Sequence, residues 1–284
     1  MKKSLLIFTA LVFVLTSCEQ SEPDQSTRMG DILQFAGRTW EIKHGPEIMG
    51  PGNNYFSDHP NDVWVDDKGY LHLSIDQREQ VIEGVNQVFW HSTEVVSTDT
   101  MGYGTYVWTV EGNFNEFDIN VVLGLFTWDN NTFQEQANSE VDIEFAKWGE
   151  EGQDTTLQYG VQPIAFGPYN YERVDKPRVN PDLWDGVVST HLFTWTDSLI
   201  TWESYQGEYD PNRTEPPQAS WYFDDTNPPK RKYEGPNTSD PVVIPAPGNT
   251  TNARMNLWIL TGTEGPARPL RHEVIIRDFH YMPL

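Results

Sequence analysis

Three acidic residues alternate with three apolar ones in the short stretch SEVDIEF, residues 139–145. In order they are Glu140, Val141, Asp142, Ile143, Glu144 and Phe145. Because successive side chains of a β-strand point to opposite faces, this pattern predicts a strand with one acidic face and one apolar face. Neighbouring carboxylates raise one another's pKa, which allows one to hold a proton while another stays ionised. The stretch therefore predicts a catalytic acid–base centre.

Two other interpretations account for the same spacing. Acidic residues on the wet face of an antiparallel sheet are commonly just solvated. Alternating Glu and Asp also offer the oxygen ligands that calcium prefers, although the glycine turn and spaced Asp and Asn ligands of a calcium loop are missing here. The rest of the chain has to decide between chemistry and a solvated face.

Short β-rich runs, separated by Gly, Pro, Asn and Asp, recur from Arg38 onward. They are Tyr70–Ile75, Glu94–Ser97, Tyr103–Val110, Ile119–Trp128, Leu157–Gln162, His191–Trp195, Leu199–Ser204, Arg254–Leu260 and Glu273–Tyr281. Many short strands without a helical period predict an all-β sandwich or barrel. Residues 206–250 hold nine of the twenty prolines and predict a long irregular insertion, part of which packs down through its aromatic residues 221–223.

The first residues predict a targeting segment. Lys2 and Lys3 precede an apolar run that is too short to span a membrane, and Leu15-Thr16-Ser17-Cys18 resembles the lipobox of bacterial lipoproteins. An ordinary signal peptide with a chance cysteine is the alternative. We expect residues 1–17 to be a lipoprotein signal peptide, 18–30 a flexible tether with a lipid on Cys18, and 31–284 one domain. The protein is then expected in the cell envelope, facing the periplasm or the exterior.

The amino-acid composition excludes several classes of binding partner and catalytic group. A formal net charge of −23 repels nucleic acid and anionic membrane surfaces, which favours a neutral partner. Cys18 is the only cysteine, so we expect neither disulfides nor a cysteine nucleophile. The seven histidines show no metal-ligand spacing, and the chain carries no nucleophile elbow or phosphate-binding loop.

The chain resembles glycoside hydrolase family 16 over residues 37–281. SEVDIEF matches the family signature E-[ILV]-D-[ILVF]-E, and the resemblance continues in GYGTYVWTV (102–110), GLFTW (124–128), residues 191–202 and IPAPG…RMNLW (244–258). The resemblance implies a jelly-roll β-sandwich of two antiparallel sheets, with a concave groove for polysaccharide. It also implies a monomer that needs no organic cofactor.

The same resemblance implies roles for the three acids. Glu140 would be the nucleophile, Glu144 the general acid/base and Asp142 the partner that tunes the nucleophile. Retaining hydrolysis requires two carboxyls about 5–5.5 Å apart. Four residues of strand separate the two Cα atoms by roughly 13 Å, so strand twist and side-chain leaning must close the distance.

Further positions are implied to bind sugar. They are Glu94, Phe126, Trp128, Asn256 and Trp258, with Gln162 and Asn54 placed by approximate alignment only. The alternative for each ring is the sandwich core, which we expect instead for Trp40, Trp108 and Trp195. For Glu94, a structural role and a sugar-binding role are equally open.

Two departures leave the exact glucan open. Asn138-Ser139 stands where lichenase-type members carry Trp-Asp, and Val96 stands where they tend to carry an Arg. The short signature favours mixed-linkage or xyloglucan-like substrates. A transglycosylase and a non-catalytic polysaccharide-binding lipoprotein are the competing hypotheses.

A structural calcium is a further expectation from the resemblance. Asp278, with a carbonyl of Gly69, matches the family's calcium position. An ion pair of Asp278 with Arg277 or with a neighbouring strand is the alternative.

Overall fold

The computed structural model describes residues 28–29, 31–164, 172–180, 184–225 and 242–284. Over these residues the chain forms seventeen β-strands and one short α-helix. The strands are β1 Arg28–Met29, β2 Ile32–Phe35, β3 Arg38–Ile42, β4 Tyr55–Phe56, β5 Val63–Val65, β6 Leu71–Ile82, β7 Val85–Ser97, β8 Gly104–Asn113, β9 Val121–Trp128, β10 Val141–Ala146, β11 Leu157–Val161, β12 Val174–Asp175, β13 Asp185–Trp195, β14 Leu199–Gln206, β15 Ala219–Asp224, β16 Asn252–Ile259 and β17 His272–Pro283. The helix α1 spans Phe133–Gln136, and short 3₁₀ turns span Phe114–Glu116, Ala137–Ser139 and Gly262–Glu264.

The strands form two antiparallel layers, as predicted. Sheet I runs in the order β1-β2-β3-β7-β16-β9-β10-β11-β12, and sheet II in the order β5-β6-β17-β8-β13-β14-β15. The hairpin β6–β7 joins the two layers, because its strands pair with each other through residues 76–91 before each continues into its own sheet. The short strand β4 pairs with β7 in parallel.

The apolar face of the acidic strand forms part of the core. Val141, Ile143 and Phe145 have no exposed surface. The Phe145 ring lies 4.1 Å from that of Phe114 and 4.9 Å from that of His191 in sheet II. The predicted alternation of β10 is therefore confirmed, and its carboxylates must lie on the open face of sheet I.

Aromatic residues dominate the space between the layers. Trp40, Trp108 and Trp195 are fully buried, which confirms their assignment to the core. Trp202 of sheet II donates its indole N–H to the backbone oxygen of Asp142 at 3.0 Å. This hydrogen bond links β10 of sheet I to sheet II and helps to fix the position of the acidic strand relative to the core.

A buried histidine also connects the strands of sheet II. His191 has Nδ1 2.7 Å from Oγ of Ser204 and Nε2 2.8 Å from Oγ of Ser189. Burial lowers the pKa of His191 to about 3, so the ring is neutral at physiological pH. Its role is structural, as the absence of ligand spacing in the sequence indicated.

The Pro-rich insertion is less irregular than expected. Ala219–Asp224 forms β15, which pairs with β14 from Leu199↔Asp224 to Ser204↔Ala219 and extends sheet II by one strand. The prediction of a continuous irregular stretch was wrong there, because cross-strand pairing with β14 satisfies the backbone. Phe223 is 1% exposed and Trp221 packs against the core, whereas Tyr222 is 56% exposed, so two of the three aromatic residues pack down.

Several predictions fall on other parts of the chain. The signal peptide, Cys18 and most of the tether lie outside the described residues, as do residues 226–241 of the insertion. Within the described residues, no helix has the length and apolar character that a membrane span needs.

Candidate active site

The open face of sheet I carries functional side chains in register across five strands. Asp142 of β10 lies opposite Phe126 of β9 and Gly160 of β11. Glu144 lies opposite Gly124 and Gln158 on the same two strands. Period-two alternation holds on every strand, so these residues share one face.

Two further strands, β16 and β7, continue these rows of side chains across the sheet. Asn256 of β16 is paired with Gly124 of β9 and with Glu94 of β7. Arg254, two residues earlier on β16, is paired with Phe126 and with Val96. The sheet therefore brings together side chains that lie up to 162 positions apart in the sequence.

A cavity of about 730 Å³ lies over this face, and we call it the groove. Its walls include all three predicted catalytic acids, the five predicted sugar-binding residues of the main set and Gln162: Glu94, Phe126, Trp128, Glu140, Asp142, Glu144, Gln162, Asn256 and Trp258. Lys43, Trp148, Gln158, Lys176 and Arg254 also line it. The structure thus gathers residues from five strands and the loops beside them into one site.

Asn54 has a different role from the one its approximate alignment suggested. It is 1% exposed, and its amide donates to the backbone oxygens of Pro51 and Ile259 at 2.8 and 2.9 Å. Its Oδ1 accepts a hydrogen bond from Ser92 at 2.8 Å. These contacts fasten the loop of residues 49–54 to the sandwich.

Burial governs the ionisation of the three acids. It raises the pKa of Glu144 to about 7, although a hydrogen bond from Nε2 of Gln158 at 2.7 Å and the charge of Lys176 favour the ionised form. Burial and the neighbouring carboxylates raise the pKa of Asp142, whose Oδ2 accepts a hydrogen bond from Gln162 at 3.2 Å. Repulsion among adjacent carboxylates means that the site retains at least one proton near neutral pH.

Among the three acids, Glu140 is the one on whose carboxyl the positive charge of Arg254 on β16 acts. It precedes β10 in an extended conformation with φ −92° and ψ 119°. Burial and the charge of Glu144 raise the pKa of Glu140, and the positive charge of Arg254 opposes them. Glu140 and Glu144 therefore have different charged neighbours, Arg254 for the first and Lys176 for the second.

The turn before β10 explains one departure from the family pattern. Ala137, Asn138 and Ser139 all have positive φ, at 47°, 62° and 53°. Asn138 donates its amide to the backbone oxygen of Asp129 at 2.9 Å, and Ser139 donates its hydroxyl to that of Ala246 at 2.7 Å. The left-handed turn and its buried hydrogen bonds fix the point from which Glu140 projects, so Asn138-Ser139 serve backbone geometry.

Glu94 is embedded in a network of donors. It is 1% exposed, and it lies 2.9 Å from Nζ of Lys43 and 3.2 Å from Nη1 of Arg254. Nδ2 of Asn256 donates to the same carboxylate at 3.3 Å. Two cations on one buried carboxylate give it a structural role, while its position in the groove also leaves it next to any bound ligand.

Aromatic rings form two walls. Phe126 and Trp128 meet edge to face at 6.5 Å, and Trp148 and Trp258 do so at 6.2 Å. The guanidinium of Arg254 lies 5.4 Å from the centre of the Trp128 ring. Trp148 holds a positive φ of 54°, which turns it into the groove wall beside Trp258.

Some of these residues carried a signal in the sequence. Gln158, Gly160 and Gln162 share the period of two with the acids, and Arg254 shares it with Asn256 and Trp258. Extending the face argument to these strands would have identified Gln158 and Arg254. Lys43 and Lys176 follow strands on loops, where no periodicity applies.

Glycines make room for the acids. A Cβ on Gly160 would lie 3.2 Å from Oδ2 of Asp142, and one on Gly124 would lie 2.5 Å from Oδ1 of Asn256. Each glycine is the cross-strand neighbour of an acid. Larger side chains at these positions would fill the floor of the groove.

Substituting Gly124→Ala should therefore destabilise the fold and perturb the groove. The added methyl meets a buried amide that hydrogen-bonds Glu94, and overpacking of this kind costs about 1–3 kcal/mol. Urea unfolding measures the change. The matched control is Gly152→Ala, whose Cβ would meet nothing within 4 Å and should change stability by less than about 0.5 kcal/mol. Equal effects in both variants would contradict the packing argument.

The calcium expectation for Asp278 stays a prediction. Its Oδ2 lies 2.9 Å from Nε2 of His280, and its Oδ1 accepts the backbone N–H of Phe279 at 2.8 Å. The carboxylate is 43% exposed, and the partner His280 differs from both alternatives considered from the sequence. A calcium ion held by Asp278 and Gly69 would have to replace the histidine contact.

Comparison with known proteins gives the fold. Neither the family models nor the curated proteins contain a match to this chain. Among solved structures, a β-glucanase of Bacillus licheniformis is 16% identical with a TM-score of 0.53, over 92% of this chain and 97% of that one. A β-1,3-1,4-glucanase (lichenase) from a mouse hindgut metagenome is 17% identical with a TM-score of 0.53, over 90% and 95%.

A third similar structure contains sugar. A family 16 glycoside hydrolase from the mixed-linkage glucan locus of Bacteroides ovatus, in complex with a G4G4G3G product, is 13% identical with a TM-score of 0.53, over 86% of this chain and 94% of that one. The predicted jelly-roll sandwich of family 16 is thereby confirmed as the fold of this chain. At these identities the similarity establishes the fold alone.

Proposed function

We propose that the protein is a retaining, endo-acting glycoside hydrolase that cleaves β-glucan or a related neutral polysaccharide. The observation that carries the proposal is the row of three carboxyls on the floor of the groove, one of them with a pKa of about 7. The similar solved structures support it, since they include a β-glucanase and a lichenase. A groove open along the sheet face suits binding within a polymer.

The reaction would proceed by double displacement. The Glu140 carboxylate attacks the anomeric carbon while the glycosidic C–O bond breaks, and Glu144 gives its proton to the departing oxygen. This step leaves a covalent glycosyl ester on Glu140 and an ionised Glu144. Glu144 then takes a proton from water, whose oxygen attacks the anomeric carbon and returns the negative charge to Glu140. Glu144 thus gives one proton to the leaving group and regains one from the attacking water, so the cycle consumes one water and leaves the enzyme unchanged.

Asp142 would assist from between the two. Its side chain is 3% exposed and is fixed by Gln162, so its position is well defined. Its raised pKa allows it to share a proton with Glu140 and to donate a hydrogen bond to the nucleophile once the ester forms.

The charges of the groove support a neutral substrate. Among the described residues that line it, the cations are Lys43, Lys176 and Arg254. Lys43 and Arg254 both pair with Glu94, and the charge of Lys176 acts on Glu144. Each of these charges already faces a carboxylate, which leaves little attraction for a sulfate or uronate group.

Activity should fall as the pH rises through about 7. Glu144 must carry its proton to release the leaving oxygen, so kcat/KM is maintained below its pKa and lost above it. Substituting Gln158→Leu removes a hydrogen bond that favours the ionised form and should move this alkaline limb to higher pH. A pH profile of kcat/KM on barley β-glucan, for wild type and variant, measures both. An alkaline limb that stays in place in the variant would contradict the assignment.

A substrate panel tests the proposed function. Release of reducing ends is measured with mixed-linkage glucan, laminarin and xyloglucan, and product size distinguishes endo cleavage from release of terminal units. Turnover of at least one glucan supports the proposal. Binding without turnover would favour the polysaccharide-binding alternative, and products longer than the substrate would favour a transglycosylase.

We also propose an envelope location, which rests on the sequence alone. Lipidation of Cys18 would leave residues 19–27 as a tether between the membrane surface and the jelly roll, which begins with β1 at Arg28. The enzyme would then act as a monomer on polysaccharide outside the cytoplasmic membrane. Calcium, if bound at Asp278, would serve stability and would take no part in the chemistry.

A further inference from the structure

Arg254 is a largely buried cation on the floor of the groove. Its side chain is 13% exposed, and β16 sets it between Phe126 of β9 and Val96 of β7. Burial lowers the pKa of Arg254, and the charges of Glu94 and Glu140 counteract that effect. Removing a guanidinium from water is costly unless fixed partners replace its hydration, so the partners of Arg254 indicate what it does.

Three contacts fix the guanidinium. Nη1 lies 3.2 Å from Oε1 of Glu94, and Nε donates to Oδ1 of Asn252 at 3.0 Å. The Trp128 ring covers it, with 5.4 Å from the guanidinium carbon to the ring centre. A planar fork held by two acceptors and an aromatic face loses most of its rotational freedom. The position of its charge is therefore set before any ligand binds.

Glu94 alone does not account for this cation. Nζ of Lys43 already lies 2.9 Å from Glu94, and Nδ2 of Asn256 donates to it at 3.3 Å. Two cations beside one carboxylate leave a positive charge to be balanced by another anion. A second acid of the groove must therefore supply that negative charge.

Glu140 lines the same groove as Arg254, and the register of the sheet places Phe126, the cross-strand neighbour of Arg254, opposite Asp142 in the same acidic row. We therefore take Glu140 as the carboxyl on which this charge acts. The groups that act on it are Asp142 and Glu144 on its own strand side, Glu94 from β7 and Arg254 from β16. Of these only Arg254 is a cation, whereas Lys176 acts on Glu144. The two ends of the acidic row thus have separate cations on opposite sides of the groove.

We propose that Arg254 is a positioning residue for Glu140: held by Glu94, Asn252 and the Trp128 ring, it provides the fixed positive charge that favours the ionised, attacking form of this carboxyl against burial and the neighbouring acids. This inference rests on the proposed function, because it takes Glu140 as the nucleophile. In the first displacement the bond from Glu140 to the anomeric carbon consumes the negative charge. In the second the ester bond breaks, and the charge returns to Glu140 beside Arg254.

The test is a carboxyl titration that needs no substrate. Full-length protein is labelled with ¹³C at Cδ of glutamate, and the resonances of Glu140 and Glu144 are assigned from Glu140→Gln and Glu144→Gln. Titrations compare wild type with Arg254→Met, Arg254→Lys, Lys43→Met and Lys176→Met. Arg254→Met should raise the titration midpoint of Glu140 by about one pH unit or more, and Arg254→Lys should largely restore it. The acid limb of the kcat/KM profile should move in the same direction.

The controls separate charge from structure. Lys43→Met also deprives Glu94 of a cation but should leave the midpoint of Glu140 nearly unchanged. Lys176→Met should raise the midpoint of Glu144 and move the alkaline limb instead. An unchanged Glu140 midpoint in Arg254→Met, or an equal shift in Lys43→Met, would overturn the inference. If Arg254→Met shifts the Glu140 midpoint as expected but the wild-type protein cleaves no glucan, the proposed function is overturned while the charge pairing stands.

Discussion

Replacing Glu140 with alanine should reduce turnover of β-glucan by about four orders of magnitude or more, because it removes the group that forms the covalent intermediate. The fold should survive. Val141, Ile143 and Phe145 hold the strand in the core, and the replaced carboxyl is one whose ionised form burial disfavours. Reducing-end release and a thermal melt of the same preparation separate lost chemistry from lost structure.

Chemical rescue makes this prediction specific. Azide can enter the space that Glu140 vacates and attack the anomeric carbon of an aryl β-glycoside that carries a good leaving group. Attack from that side gives an α-glycosyl azide. The matched control is Glu203→Ala, which removes a partly exposed glutamate of β14 on sheet II and should leave activity unchanged. Substantial cleavage of glucan by Glu140→Ala would show that another group is the nucleophile.

Replacing Glu144 with alanine should lower turnover of natural glucan by about 10²–10⁴-fold. The loss follows from the missing proton donor, so it should shrink for substrates whose leaving group departs without a proton. The alkaline limb near pH 7 should disappear in this variant, because Glu144 is the group that titrates there.

Azide distinguishes the two roles. In Glu144→Ala the glycosyl ester on Glu140 still forms from an activated substrate, and azide then displaces it to give a β-glycosyl azide. Steady-state kinetics on glucan and on an activated aryl glycoside provide the comparison. Equal losses on the two substrates would contradict a role in leaving-group protonation.

The sequence predicted the acidic strand well because one physical constraint dominates it. A strand packed between a core and a cleft must alternate, and Val141, Ile143 and Phe145 reach the core as expected. The nine predicted strands are all present, and the rings assigned to the core lie there. Alternation also places the groove residues of β9 and β16 on one face, but it is the family resemblance that points to Phe126 and Trp258.

Other features depend on contacts that one strand does not reveal. In the hairpin, β6 ends at Ile82 and β7 begins at Val85. Glu83 and Gly84 form the tight turn between them, with φ values of 51° and 79°. The alternation of apolar and polar residues in β6 and β7 does not predict strands of this length, because their outer parts are set by pairing with each other. The strand Ala219–Asp224 was also missed, since only its pairing with β14 reveals it.

The position of Arg254 in the groove also could not be predicted from one strand alone. Val96 stands where lichenase-type members of the family that the chain resembles tend to carry an arginine, and the sequence alone leaves the exact glucan open at this position. The structure pairs Val96 directly with Arg254 across β7 and β16, so a positive charge lies one strand away from the expected position. Register between distant strands, here 158 residues apart in sequence number, is set by the whole sandwich and could not be derived from either segment.

Trapping the intermediate tests the central claim most directly. A 2-deoxy-2-fluoro β-glucobiosyl fluoride should inactivate the enzyme by forming a slowly hydrolysed ester, and mass spectrometry of the digested protein locates the label. We predict that the label lies on Glu140 and that Glu140→Gln takes up none. A label on any other residue, or hydrolysis of the unfluorinated analogue to a product of inverted anomeric configuration, would contradict the account.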